Sequence, residues 1–240
     1  MKVNDFILGC VITREKTMAE NLHFDRKKII AEKDNLKGAD LSTLDLGKAN
    51  FSYGDLREAN LSEAFLSEAD FSNANLNKAN LKKANLSGAS FYKANLSQAN
   101  LTGAFLRRAK LEGAFLREAN FSQANLRESF LMKANLKRAD LSGVNLQDAQ
   151  IPQAHLEETN LEGADLQRAN LKGSNLAGVC LKGALLQGAD LRNVRKLSCA
   201  DIKFARVDKT TKLPDYLKVK WTSDTDFECE DKKKTSSTDE

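Results

Sequence analysis

Residues 79–98 read Ala79-Asn80-Leu81-Lys82-Lys83, Ala84-Asn85-Leu86-Ser87-Gly88, Ala89-Ser90-Phe91-Tyr92-Lys93 and Ala94-Asn95-Leu96-Ser97-Gln98. The same unit, a small residue, Asn or Asp, a large apolar residue and two polar ones, continues in both directions. From Leu36 to Leu191 every fifth residue is Leu, Phe or Ile, an unbroken run of 32 positions of which 27 are Leu. Ala stands two residues earlier in 24 of them, and Asn or Asp lies between in 22. An internal repeat, not local propensity, therefore decides the fold.

An α-helix cannot use this spacing, because five residues turn it through about 500° and leave no apolar stripe. In a strand, the Ala and the Leu share one side and the Asn or Asp between them faces the other. An odd repeat conflicts with that period of two, so the last two residues must turn a corner and reset the phase. Each unit is then one face of a coil. Gly at the last position, as in Gly88, Gly103, Gly113 and Gly143, suits a turn that needs positive φ. Phe51, Phe71 and Phe91 recur every 20 residues, which stacks like on like if four faces close each coil.

Tandem Ala-(Asn/Asp)-Leu-x-x units resemble the pentapeptide repeat family. The resemblance implies a right-handed sense and a four-sided section. The register slips by one residue between Leu191 and Leu197, then resumes with Ala200-Asp201-Ile202 and Ala205-Arg206-Val207. The expected fold class is all-β: a right-handed quadrilateral parallel β-helix over residues 35–208, with 35 faces in nearly nine coils. At roughly 4.8 Å per coil it makes a rod about 40 Å long, filled along its axis by Leu and Ala.

Both ends of such a rod would expose core and strand edges, so caps are expected. Residues 1–34 read as an N-terminal cap, with a capping box at Thr17-Met18-Ala19-Glu20 and a helix carrying Leu22, Ile29 and Ile30 to about Lys33. Residues 209–221 read as a C-terminal cap in which Pro214 opens a helix and Leu217, Val219 and Trp221 cover the last coil. The phrase Thr211-Lys212-Leu213-Pro214 is similar to one on which the family often ends. Residues 222–240, almost all polar or charged, read as a disordered tail.

Net charge is +4, from 37 Lys and Arg against 33 Asp and Glu, a balance that points to no nucleic acid, membrane or acidic substrate. Cys10, Cys180, Cys199 and Cys229 are scattered without a CxxC pair, so neither a zinc site nor a dense disulfide framework is expected, and a reducing cytoplasm fits best. The apolar run Phe6–Ile12 is too short to span a bilayer. His23 and His155 have no partners for a triad or a metal cluster, and the serines (Ser52, Ser62, Ser72, Ser87) sit at turns with no base beside them. Stacked carboxylates such as Glu118 and Glu158 lack a cleft to exclude water. The chain therefore reads as no enzyme, with no cofactor, metal or small-molecule substrate.

A rigid array of side chains is suited to docking, because its backbone is already ordered. The best-known family members are DNA mimics that act on type II topoisomerases. That role is disfavoured here, since residues 36–207 carry 23 basic and 18 acidic residues. Direct nucleic-acid binding is disfavoured too: the columns Lys37, Arg57, Arg117, Lys137 and Arg107, Arg127 are broken by Glu58, Glu118, Glu128 and Glu157, with no interleaved aromatics. The favoured reading is a scaffold for an unidentified protein or for self-association. Its candidate contact surface is Phe65, Phe105 and Phe130, apolar residues at the outward Asn/Asp position; Phe115 and Leu185 break the rule in the same way.

Overall fold

The structure, a computed structural model, describes residues 26–231. Parallel bridges join residues 20 apart in unbroken succession, from Asp40↔Asn60 to Asn175↔Arg195. With five residues per face, that spacing puts four faces in each coil. Each bridge is one residue long, because the chain leaves the ladder at every corner.

The unit Ala59–Glu63 shows why five residues suffice. Ala59 N–H closes the preceding turn on Leu56 C=O (3.1 Å), and Asn60 N–H donates to Ala39 C=O in the coil before (2.9 Å). Leu61 and Glu63 donate to Asn80 and Lys82 in the coil after, at 2.7 and 2.9 Å. The fifth N–H, that of Ser62, donates to the side chain of Asn60 two residues back (3.2 Å). All five donors of the unit are engaged, as a chain packed this closely requires. The Asn or Asp thus caps its own turn in an Asx geometry, and a Ser hydroxyl just beyond often joins the same oxygen, as at Ser52, Ser87 and Ser122.

Every turn places its last residue in the left-handed region, whether Gly103 (φ 64°) or Lys83 (φ 55°). Glycine is the easy occupant, yet most of these sites hold Glu, Lys, Arg or Gln. The ladder bond from that residue's own N–H to the next coil holds it there.

Inside, the Leu and Ala positions are sealed; Ala79, Leu81, Ala84 and Leu86 are all at 0% exposure. Each buried Leu contributes roughly 1.5–3 kcal/mol. Phe51, Phe71 and Phe91 stack in successive coils with centroids 5.2 and 5.0 Å apart. A void of about 10 Å³ among Leu131, Leu141, Ile151 and Leu161 is apolar and has no room for a ligand. Where a hydroxyl replaces Ala, it finds a carbonyl: Ser129 donates to Leu126 and Thr159 to Leu136. Ser174 does more. In the turn containing Pro152, its Oγ donates to Ile151 C=O (2.7 Å) and accepts from Ala154 N–H (3.1 Å), bridging the two groups that other turns join directly.

At the N-terminal end, residues 26–31 are helical (α1) and a 3-10 turn follows at Lys33–Asn35. Ile29 and Ile30 pack on the core. Lys33 C=O accepts from Asp55 N–H (2.9 Å), the bond that a preceding coil would otherwise make, and Lys33 Nζ reaches Ser52 C=O (2.6 Å). Gly54 stands where Ala is usual because a Cβ there would lie 2.9 Å from both Lys33 and Phe51 carbonyls. The Thr17–Glu20 capping box, Leu22, His23 and the run Phe6–Ile12 lie outside the described residues.

The C-terminal end departs from expectation. The face read at Ala200-Asp201-Ile202 is a helix, α2 (Cys199–Lys203), opened by a capping box between Ser198 and Asp201. Ile202 is still buried, so the helix delivers the same apolar group by another path. Pairing resumes with offsets of 21 and 22, at Leu185↔Arg206 and Asp190↔Lys212. No helix follows Pro214: Leu217–Trp221 is a strand (β1), whose alternation puts Leu217, Val219 and Trp221 on the core side and Lys218 and Lys220 outside. The polar stretch after Thr222 is ordered as far as Asp231, because Phe227–Asp231 (β2) pairs antiparallel with β1 and turns Phe227 and Cys229 inward. Cys229 is bonded to Cys199 across 30 residues of sequence. That bond removes the ground on which a reducing compartment was expected.

Candidate protein-contact surface

The four faces can be named by their first outward residues. The Asp45 face carries Phe65 and Phe105, with Asn85 bridged between them, so the two rings are about 10 Å apart along the axis. Phe130 belongs to the adjoining Asn50 face, between Lys110 and Gln150, and Phe115 to the Asp55 face, between Asn95 and Asn135. Exposures are 55% for Phe65, 52% for Phe105, 52% for Phe115 and 40% for Phe130. The structure thus places all three predicted residues at the surface, but gives them no ring-to-ring contact.

None of these rings makes the turn bond that Asn or Asp makes at the same position. A Phe at the Asn/Asp position cannot accept the turn's N–H, and the amides of Ser67, Arg107, Arg117 and Met132 have no acceptor among the described residues. Each such unit therefore forgoes one hydrogen bond that its neighbours make.

Further exposed apolar residues escaped the sequence reading. Tyr92 and Met132 stand at the corner between the Asn50 and Asp55 faces, at the position after the inward apolar residue. Tyr53 lies on the same corner nearer the N-terminal end, and Phe204 ends α2. A search confined to the Asn/Asp position does not visit that corner; an apolar side chain where Ser or a charge is usual is the signal that finds it.

Charge is organised in ladders. At the corner after the Asp45 face, Glu128 takes Arg107 and Arg108 at 2.9 and 2.6 Å, and Asp148 takes Arg168 at 2.7 Å. After the Asp55 face, Glu58 faces Lys37, Glu118 takes Arg117, and Glu158 takes Lys137 and Arg138. Hydrogen bonds from Arg108 and then Arg107 hold the Glu128 carboxyl below the usual range; Arg168 does so for Asp148 and Arg138 for Glu158. Glu118 is lowered as well, by hydrogen bonds from Gln98 and then Arg117, so both it and Glu158 are held in the charged form. Among the described residues there is no cluster of His, Cys, Asp or Glu fit to hold a metal, and no helix is long and apolar enough to cross a membrane.

An array of five-residue faces with Asx-closed corners defines a class: a parallel β-helix whose outer surface is a set of side-chain columns. The profile of the family described as Pentapeptide repeats matches residues 35–62, 55–92, 79–117, 89–127, 114–151 and 154–193, in 8 copies. The chain belongs to the pentapeptide repeat family. Among solved structures it is similar to HetL, a pentapeptide repeat protein involved in heterocyst differentiation regulation from the cyanobacterium Nostoc. The identity is 29%, covering 75% of this chain and 90% of HetL, with a TM-score of 0.34. It is also similar to QnrB1, a plasmid-mediated fluoroquinolone resistance protein, at 18% identity over 74% of this chain and 88% of that one, TM-score 0.36. A pentapeptide repeat protein of the Arabidopsis thaliana thylakoid lumen shares 30% identity over 53% of this chain and 68% of its own length, TM-score 0.22. No curated protein matches the chain.

Proposed function

We propose that this protein is a non-enzymatic scaffold, a right-handed solenoid of nearly nine coils that binds another protein through apolar side chains on its outer faces. The observation that carries the reading is the half-exposed Phe at positions where the repeat's own Asn would close the turn. Phe65, Phe105 and Phe130 are the proposed contact residues, and clustered exposed aromatics are what interfaces use. Neither a cofactor nor a small-molecule substrate belongs to this function.

The test replaces all three with Asn and compares melting temperature and association, by sedimentation and by binding to a purified partner recovered with the parent protein. Association lost at unchanged stability supports the reading. Stability lost at unchanged association shows that the rings are structural and overturns it.

A further inference from the structure

We infer that the corner between the Asn50 and Asp55 faces, over residues 92–133, is a docking site for an acidic polypeptide segment that also carries apolar side chains. The inference rests on the scaffold reading and gives its partner a chemistry.

Four exposed apolar side chains converge there. Tyr92 and Met132 stand on the corner itself, one coil to either side of Glu112, since Lys93 N–H donates to Glu112 C=O (3.0 Å) and Gly113 N–H to Met132 C=O (2.9 Å). Phe130 flanks the corner on one face and Phe115 on the other. The whole patch spans three coils, about 10 Å along the axis.

Its charge differs from that of the ladder corners. On the two corners that carry the ladders, Arg107, Arg108, Arg117 and Arg138 of the same coils are each paired with a carboxylate. Among the described residues Lys93, Lys110 and Lys133 have no ion pair; Lys93 Nζ instead lies over the Tyr92 ring, 5.1 Å from its centre. Cations left unpaired beside apolar side chains complement a partner with the opposite charge and matching apolar anchors. A second copy docking through the same patch would set lysine against lysine. A nucleic acid would bring a phosphate at every step, and Glu112 in the middle of the patch would oppose it. A polypeptide can place carboxylates at the three lysines and an uncharged residue over Glu112.

The experiment uses the full chain and a short fluorescein-labelled peptide alternating Glu or Asp with Leu or Phe, followed by anisotropy. Two controls carry Lys in place of the acids, or Ser in place of the apolar residues. Binding of the first peptide alone, weakened by salt, is expected. The triple variants K93E/K110D/K133E and F115N/F130N/M132S each weaken it by about tenfold or more. All six substitutions use residues that the repeat itself places at such positions, and circular dichroism melts check that the variants fold. K82S/K83E, which removes two lysines at a different corner, leaves peptide binding unchanged. Equal binding of the Lys peptide, tighter binding of an oligo-dT probe, or variants that bind as the parent does overturns the inference. So does concentration-dependent dimerisation abolished by F115N/F130N/M132S, which would assign the patch to a second copy. If peptide binding is lost in F65N/F105N but kept in the corner variants, the inference fails while the scaffold reading stands.

Discussion

At the level of single residues, the repeat is a solution to backbone accounting, in which the middle Asn or Asp accepts the one N–H that the ladder leaves over. Replacing Phe105 by Asn should restore the turn bond to Arg107 N–H and leave stability unchanged or raised by about 0.5–1 kcal/mol, read as a shift in melting temperature. A marked loss would show that the ring packs on its neighbours. Ser174 supplies a sharper case. Ser174→Ala strands Ala154 N–H and Ile151 C=O together, with an expected loss of about 1–3 kcal/mol. Thr159→Ala should cost less, since Leu136 C=O keeps its bond from Ala139 N–H (2.9 Å). Equal losses in the two variants would contradict that assignment. Leu106→Asp puts a carboxylate where the exposure is 0% and should destabilise by several kcal/mol. Inward Leu, small partner and corner were all legible in the sequence, because each follows from alternation and an odd period. The Asx bond was not, since an outward Asn looks the same whether it meets water or its own turn.

Among the elements, the two ends teach different lessons. Ser198-Cys199-Ala200-Asp201 fits both a repeat unit and a capping box, and the repeat pattern masked the helix. Leu217, Val219 and Trp221 are covering groups, and their spacing of two is itself a strand signal. The partner strand was hidden because Phe227 and Cys229 are its only inward groups amid charge. Linking Cys199 to Cys229 closes a loop of 30 residues, worth about 3–4 kcal/mol on the chain-entropy account. Cys229→Ser should therefore lower the melting temperature, and hydrogen exchange should rise around α2, β1 and β2 while the coils near Leu81 keep their protection. Uniform loss of protection along the whole chain would show that the solenoid unfolds as one cooperative unit. Asp231 Oδ1, which accepts from Cys199 N–H (3.0 Å), holds the same junction by a second route.

For the whole molecule, the charge ladders decide what the surface can be. Carboxylates at Glu128, Asp148 and Glu158 are held below their usual range by arginine. Groups lowered in this way contribute stability above their unfolded pKa and lose it as pH falls through the folded one. Melting temperature should stay level from neutral pH down to the ordinary carboxylate range and fall only below it. The drop should be small, because these pairs face solvent. A fall already complete near neutrality would point to a histidine instead. A surface of mixed charge, 23 basic against 18 acidic residues over 36–207, is a poor imitation of DNA. The protein is expected neither to inhibit supercoiling by gyrase nor to bind duplex DNA at physiological salt. Inhibition at micromolar protein or below, in a supercoiling assay, would reverse that ranking.

The interior and the surface keep different clocks. A core position needs only the next Leu five residues on, whereas an ion pair such as Arg168 to Asp148 needs its partner 20 residues away. Excising one unit would leave every inward residue inward, yet rotate all later columns by a quarter turn and set strangers side by side. Excising a whole coil would shorten the rod and keep each column in line. A gene encoding such an array can therefore grow or shrink freely in its core, while any binding surface it has acquired survives only changes made four units at a time.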